Sequence, residues 1–410
     1  MAIGDIIVGI DIGTSKVSTV VGEVNNFKQI EIICNTSYKC NGISKGQIID
    51  DDAISIAISK TIREAEEIAN FKINSAYITI PGKYTTIVQN SIVKEAKDKF
   101  EGVSAKDVLA ALNLVKEIEM PDDQILIDII PDKFILEDGK TVDDPIGSYT
   151  SSFTLMAQLI LADKSYVKKI TSICRKAGID LDGIVPTTLA ERNLVLDANE
   201  LNDNVMILDI GGGNTELGIF NGNTFIYNNT LPLGGDNITS DIAYVLNISK
   251  EEADKLKRQY GLALKSFIDN DTNIILNTYN GMDTRNKTIK SSELIEIIEA
   301  RVEEIFSLVN KEITNQGLKN SINNVILTGE GITNINKSDM AGKIILNIPV
   351  KISNTRVVNA IKPVYRTSYA LVRYISSKPF VKRVSSTIDA KSDKSFIKSV
   401  FGKIKDFFYS

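Results

Sequence analysis

The feature that most limits what this chain can become is an internal repeat. Residues 205–220 read VMILDIGGGNTELGIF and residues 7–22 read IVGIDIGTSKVSTVVG. In each, an apolar run ends in an aspartate, glycine and small polar residues follow, and an alternating segment leads away. Asp11 aligns with Asp209, Ile12 with Ile210 and Gly13 with Gly211, at a spacing of 198 residues. Each copy predicts a β-hairpin: buried strand, tight turn, return strand. In a 410-residue chain that spacing is far longer than the roughly 20–50 residues of a solenoid repeat. It points to two duplicated lobes facing one another.

An isolated GGG is most often a plain hairpin turn. Its occurrence opposite a second copy changes the reading. Glycines at 211–213 let the backbone come within hydrogen-bonding distance of a ligand. Their amides can form an anion-binding nest, and an aspartate at the strand tip can hold a hydrated Mg2+. Two such hairpins make a nucleotide clamp.

Composition narrows the chemistry. The chain has no histidine, which excludes Ser-His and Cys-His catalysis and the usual His-based zinc sites. Cys34, Cys40 and Cys174 are odd in number and form no CxxC, so neither a disulfide framework nor a metal knuckle is expected. The apolar start is broken by Asp5 and Asp11, so no signal peptide is expected. No apolar run approaches the roughly 20 residues of a membrane span, and a reducing cytosol is the expected compartment. Net charge is −5, yet Lys378–Ser410 holds eight Lys/Arg against three Asp. An acidic body with a basic tail implies an anionic partner for the tail. Nucleic acid is not expected as a partner, since no basic stripe extends beyond the tail.

In chain order, a strand pair is expected through Glu31–Cys40. A helix follows at 53–70 with Ile54, Ile58, Ile62, Ala65 and Ile68 on one face, and then a strand at Ser75–Ile80. Residues 84–162 change texture: strands at 84–93, 125–136 and 153–162 with a helix at 105–118 predict an inserted α+β unit. A helix at 164–177 ends at Gly178, and another at 188–199 leads to the second lobe. There Asp236 is expected to N-cap a helix after Gly234-Gly235, whose amino end favours anions. Further helices are expected at 249–260 and 292–313, the latter with a core stripe of Ile295, Ile298, Val302, Ile305 and Val309. A strand running into a glycine turn follows at 323–333, and a final strand and helix at about 343–376. The first lobe is thus 1–83 plus 163–198, the insert 84–162 and the second lobe 199–376, with a subdomain at about 240–322. Residues 377–394 are a polar linker.

Residues 395–410, SFIKSVFGKIKDFFYS, place Phe396, Ile397, Val400, Phe401, Ile404, Phe407 and Phe408 at spacings of three and four. Lys398, Lys403 and Lys405 lie outside that stripe. An aromatic face with basic flanks suits the interface of an anionic membrane, where each Lys adds about 1 kcal/mol. The alternatives are a helix docked on the protein's own core or on a partner.

Taken together, IDIGTSK (10–16), GISKGQIID (42–50), DPIGS (144–148), LDIGGGNTELGIF (208–220), PLGGDNITSDIAYVL (232–246), EEADKLK (251–257), LTGEGIT (327–333) and the tail resemble the FtsA family of bacterial cell-division proteins within the actin-like ATPase superfamily. The resemblance implies a duplicated, two-lobed, ribonuclease H-like α/β fold carrying the family's own small α+β domain at 84–162. It implies ATP and Mg2+ in the cleft. Gly13, Thr14, Ser15 and Lys16 would meet the phosphates from one side, and Gly211, Gly212, Gly213, Asn214 and Thr215 from the other. Asp11 and Asp209 would orient Mg2+ through water. Gly234, Gly235, Asp236, Glu252 and Lys255 would lie near ribose and adenine, with Gly329 and Gly331 closing the site. Implied partners are the C-terminal peptide of the tubulin-like FtsZ, met by Lys290 and Arg301, an anionic lipid membrane, further copies in protofilaments and other division proteins. The implied location is the cytoplasmic face of the inner membrane at the septum.

Two positions depart from the family pattern. Glu330 stands where a second glycine is usual, and Thr187 and Thr188 replace a segment that often carries a glutamate. Slow ATP turnover at most is therefore expected. The competing readings are a small-molecule kinase on the same fold, which leaves the tail unexplained, and a pilus-assembly adaptor, which has no use for a membrane-seeking terminus.

Overall fold

The computed structural model of the chain describes residues 5–25, 29–96, 102–280, 283–355, 358 and 360–377. Two five-stranded sheets share one strand order. In the first, Asp5–Ile12 is central. Lys16–Val24 and Ile30–Lys39 extend it antiparallel on one side, and Ser75–Ile80 and Asp180–Pro186 parallel on the other. In the second, Asn204–Ile210 is central, with Thr215–Asn221 and Thr224–Leu231 antiparallel on one side and Asn324–Thr328 and Val350–Ile352 parallel on the other. The duplication read from Asp11 and Asp209 therefore extends to whole sheets.

Parallel neighbours need a crossover, usually helical. Asp51–Ala69 serves the first sheet, begun by Asp50, whose Oδ1 accepts from the Ala53 N–H at 2.9 Å. In the second sheet the crossover is long and holds Gly235–Leu246, Lys250–Tyr260, the hairpin Asn273–Asn280/Asp283–Lys290 and the helix Ser291–Asn315. Helices cover both faces of the central strand, so Val205, Met206, Ile207 and Leu208 are all buried, as expected of a strand with no solvated face. Ile298, Val302, Ile305 and Val309 pack into the second lobe's core, and Ile295 is buried at the start of the same stripe.

Between the fourth and fifth strands of the first sheet the chain builds a separate layer. Thr85–Glu95, Ser152–Asp163, Gln124–Leu136 and Thr141–Val142 form a four-stranded sheet in that order. The helix Ala105–Val115 covers one face and buries Val108, Ala111, Leu112 and Val115 against Phe134 and Phe153. Its start is a reciprocal cap: Ser104 Oγ accepts from the Asp107 N–H, and Asp107 Oδ2 accepts from the Ser104 N–H.

Several elements differ from the sequence reading. Glu31–Cys40 is one strand, Ile30–Lys39, because its partner is the earlier Lys16–Val24 rather than a new neighbour. Ile68 is 56% exposed, while Ala65 and Ala69 carry the packed face to the helix end. The connecting helix is Thr187–Val195, starting and ending earlier than 188–199. Around 343 the chain is still helical, in Ser338–Leu346. The last helix, Arg366–Ser376, was expected with the second lobe, yet Ala370, Leu371, Val372 and Ile375 lie in the first lobe's core. A Cβ at Gly9 would lie 2.8 Å from the Ser368 carbonyl oxygen, so that glycine is the space the helix needs. The helix expected at 395–410 (Phe396, Ile397, Lys398, Val400, Phe401, Lys403, Ile404, Lys405, Phe407 and Phe408) and the linker beyond Ser377 lie outside the described residues. Among the described residues no helix is long and apolar enough to cross a membrane.

Candidate functional site

The two repeated hairpins end at one cleft, lined from the first lobe by Asp11 and Gly13–Lys16 and from the second by Asp209, Gly211, Gly212 and Asn214. Each turn is closed by the same backbone bond, Gly13 N–H to the Lys16 carbonyl and Gly211 N–H to the Asn214 carbonyl, both 2.9 Å. The turns touch, with the Gly213 N–H donating to Thr14 Oγ1 at 3.0 Å. That bond takes the Gly213 amide out of the group expected to meet phosphate.

Behind the second turn the glycines have a packing role. Gly235 N–H and Asp236 N–H donate to the carbonyls of Gly211 and Gly212 at 2.9 and 2.8 Å. A Cβ on Gly331 would lie 2.1 Å from the Gly211 oxygen, and one on Gly234 2.5 Å from it. Gly329, at φ +94°, takes the left-handed backbone that turns the chain here. Three backbone segments thus meet with no room for side chains. Thr215 does not face the cleft: it is fully buried and its hydroxyl donates to the Leu233 carbonyl at 2.8 Å. Asp236 is not the N-cap either. It sits in the first turn, and Asn237 Oδ1 caps by accepting from the Gly234 N–H at 2.9 Å.

The floor of the cleft is acidic. Asp11 Oδ1 accepts from Thr79 Oγ1 at 2.8 Å, and burial holds its carboxyl above the usual range. Burial, reinforced by the charge of Asp11, pushes Asp209 up to about 7. Two further carboxylates join them that the sequence reading missed. Glu216 accepts from the Gly82 N–H and Thr230 Oγ1, and burial, opposed in part by those bonds, pushes it up to about 8. Glu191 accepts from Thr367 Oγ1 at 2.9 Å through one oxygen, while its buried Oε2 has no partner among the described residues. Burial first, then Asp209, holds it well above the usual carboxylate range. Both carried a signal. Glu216 stands directly opposite Asp209 in the hairpin register, and Glu191 lies one helical turn beyond Thr187, on the same face. Such crowding of carboxylates is satisfied by a bound cation.

Glu252 and Lys255 do not line the cleft. The helix Lys250–Tyr260 turns Asp254, Lys257 and Arg258 toward it instead. Lys257 Nζ donates to the Gly235 carbonyl and Thr239 Oγ1 and pairs with Asp254. Among the described residues no group of three or more Cys, Asp or Glu side chains is placed to hold a metal unaided, so Asp11 and Asp209 remain a pair. Lys290 is exposed at the start of the helix Ser291–Asn315. Arg301 is committed within the chain, forming a bidentate pair with Asp241 at 2.5 and 3.0 Å and a second pair with Glu304.

Comparison with known proteins agrees with this geometry. The family model described as cell division protein FtsA matches residues 206–370, and the model of the SHS2 domain inserted in FtsA matches residues 82–161. The cell division protein FtsA of Buchnera aphidicola subsp. Baizongia pistaciae is 32% identical over 355 residues, 85% of this chain and 83% of the relative. That of Bacillus subtilis is 28% identical over 370 residues, 90% of this chain and 83% of the relative. Among solved structures, MreB5 of Spiroplasma citri bound to AMPPNP superposes with a TM-score of 0.57 at 14% identity, over 93% of this chain and 99% of that one. The PilM–PilN type IV pilus biogenesis complex gives 0.57 at 16% identity, over 90% of this chain and 98% of that one. These likenesses establish the duplicated actin-like fold, here carrying the α+β insert between strands of the first lobe. The resemblance read from the motifs holds over most of the sequence, and the chain belongs to the FtsA family of cell-division proteins.

Proposed function

We propose that this chain is a nucleotide-binding scaffold of cell division, which assembles on the inner face of the cell membrane through residues 395–410 and tethers FtsZ there. The observation that carries the reading is the pair of hairpins, Asp11–Lys16 and Asp209–Asn214, meeting at one cleft. Related folds bind nucleotides in their solved forms, with AMPPNP or ADP in MreB5.

The residues present fit a Mg2+-bound nucleotide. The crowded carboxylates and the buried Glu191 Oε2 and Arg366 Nε, without hydrogen-bond partners among the described residues, are the groups a metal-bound polyphosphate would satisfy. Asp11 and Asp209 would hold the hydration shell of the metal. Thr14, Ser15, Lys16, Gly212 and Asn214 would hold the phosphates, in turns that the Gly13 and Gly211 amides close. Gly235, Asp236, Gly329 and Gly331 would border the rest of the ligand. Bound ATP would supply a charge-bearing cross-link between the lobes. Thr187 is engaged with the Ile80 carbonyl at 3.2 Å, and the role proposed for this cleft is binding, with slow turnover at most. FtsZ's acidic C-terminal peptide would dock at Lys290, since Arg301 already has its partners.

The test is flotation with anionic liposomes, comparing the full chain with one ending at Lys394 and adding FtsZ to each. The full chain alone should float and should carry FtsZ with it. Equal flotation of both, or of neither, would overturn the membrane role. Flotation without FtsZ would overturn the tether.

A further inference from the structure

An ion pair spans the cleft from lobe to lobe. Lys16 opens the return strand of the first hairpin, and its Nζ lies 2.6 Å from Oε2 of Glu330, in the turn after Asn324–Thr328 of the second lobe. Both residues line the cleft, and both side chains are only partly exposed, at 27% and 36%. Two other cations of the cleft are taken, Lys257 by Gly235, Thr239 and Asp254, and Arg258 by Asp254, while Arg366 keeps a buried Nε without a hydrogen-bond partner among the described residues. Lys16 is thus the cation that the first lobe's turn offers to a phosphate, and a carboxylate already holds it.

The backbone fixes Glu330 there. Its neighbours are Gly329, at φ +94°, and Gly331, packed against the Gly211 carbonyl with no space for a Cβ. The turn cannot retreat as a unit, so only the Glu330 side chain can swing away.

We infer that Glu330 is a gate for the nucleotide: its carboxylate stands in the place of a phosphate on Lys16, and a polyphosphate must displace it to bind. The inference rests on the nucleotide reading proposed above. It follows that apparent affinity is reduced by the fraction of molecules in which the pair is closed, and that the displaced carboxylate repels the incoming phosphates. The penalty falls on the phosphates and spares the nucleoside.

The test measures binding of ATP with Mg2+, and of adenosine, to the full chain and to its Glu330→Gln and Lys16→Met variants, with circular dichroism to show that each is folded. Glu330→Gln should bind ATP about 5–10-fold tighter at low salt, a gain equivalent to about one pair of partly exposed charges. The gain should shrink at 0.5 M salt, where the Debye length is only a few ångströms, and adenosine affinity should stay within about twofold. Lys16→Met should weaken ATP and abolish most of the benefit of Glu330→Gln when the two are combined. Clear binding with equal ATP affinities, or an equal gain for adenosine, would overturn the gate while leaving the nucleotide reading intact. Folded wild-type and Glu330→Gln chains that both fail to bind ATP would overturn the nucleotide reading and the gate with it.

Discussion

Replacing Asp209 by Asn should change how the stability of the ligand-free protein depends on pH. Burial and the charge of Asp11 raise this carboxyl from 3.8 to about 7. A group raised in the folded state holds a proton that the unfolded chain has lost. Its stabilising contribution is complete below about pH 4 and disappears as pH rises through 7. Three pH units at about 1.4 kcal/mol each set a ceiling near 4 kcal/mol, and somewhat more than half of it is lost between pH 5 and 8. Asp209 keeps partial exposure at the cleft, which lowers the realised change over that interval to about 1–2 kcal/mol. Among the described residues the Asp209 carboxylate has no hydrogen-bond or ion-pair partner, so asparagine removes charge with little else. Relative to wild type, Asp209→Asn should therefore gain about 1–2 kcal/mol between pH 5 and pH 8, read as midpoint shifts in urea with EDTA present. A variant whose difference from wild type is the same at both pH values would refute the reasoning.

Two other variants probe the scaffold. Gly331→Ala puts a Cβ 2.1 Å from the Gly211 oxygen, and the forced backbone shift should cost about 1–3 kcal/mol in thermal melts; an unchanged melting curve would contradict the close packing described. Arg301→Ala removes the bidentate pair that joins the helix Ser291–Asn315 to Asp241 on Gly235–Leu246, and should cost about 1–2 kcal/mol, whereas a neutral effect would return Arg301 to the set of free surface cations.

What was legible in the sequence was what local periodicity encodes. An apolar strand ending in aspartate and glycine reads the same at 11 and at 209, and that single pattern located both sheets and the cleft between them. The stripe Ile295–Val309 was legible for the same reason, because burial repeats with the helix. Contacts made across the chain left weaker traces. Arg366–Ser376 follows the second lobe in sequence, but nothing local shows that Gly9 makes room for it in the first. Glu252 and Lys255 were implied by the resemblance of EEADKLK to the family, while the burial of Ala253 and Leu256 sets the helical phase that turns Asp254, Lys257 and Arg258 to the cleft. Glu330 was visible as a departure, but its partner, 314 residues away, was not.

The central claim is that the opposed hairpins grip a metal-bound nucleotide, and isothermal titration of the full chain with ATP and Mg2+ addresses it directly. Saturable binding of about one ATP per chain is predicted, weakened tenfold or more by Asp11→Asn and by removal of Mg2+. Absence of binding by the folded chain, or binding indifferent to both Asp11 and Mg2+, would contradict it.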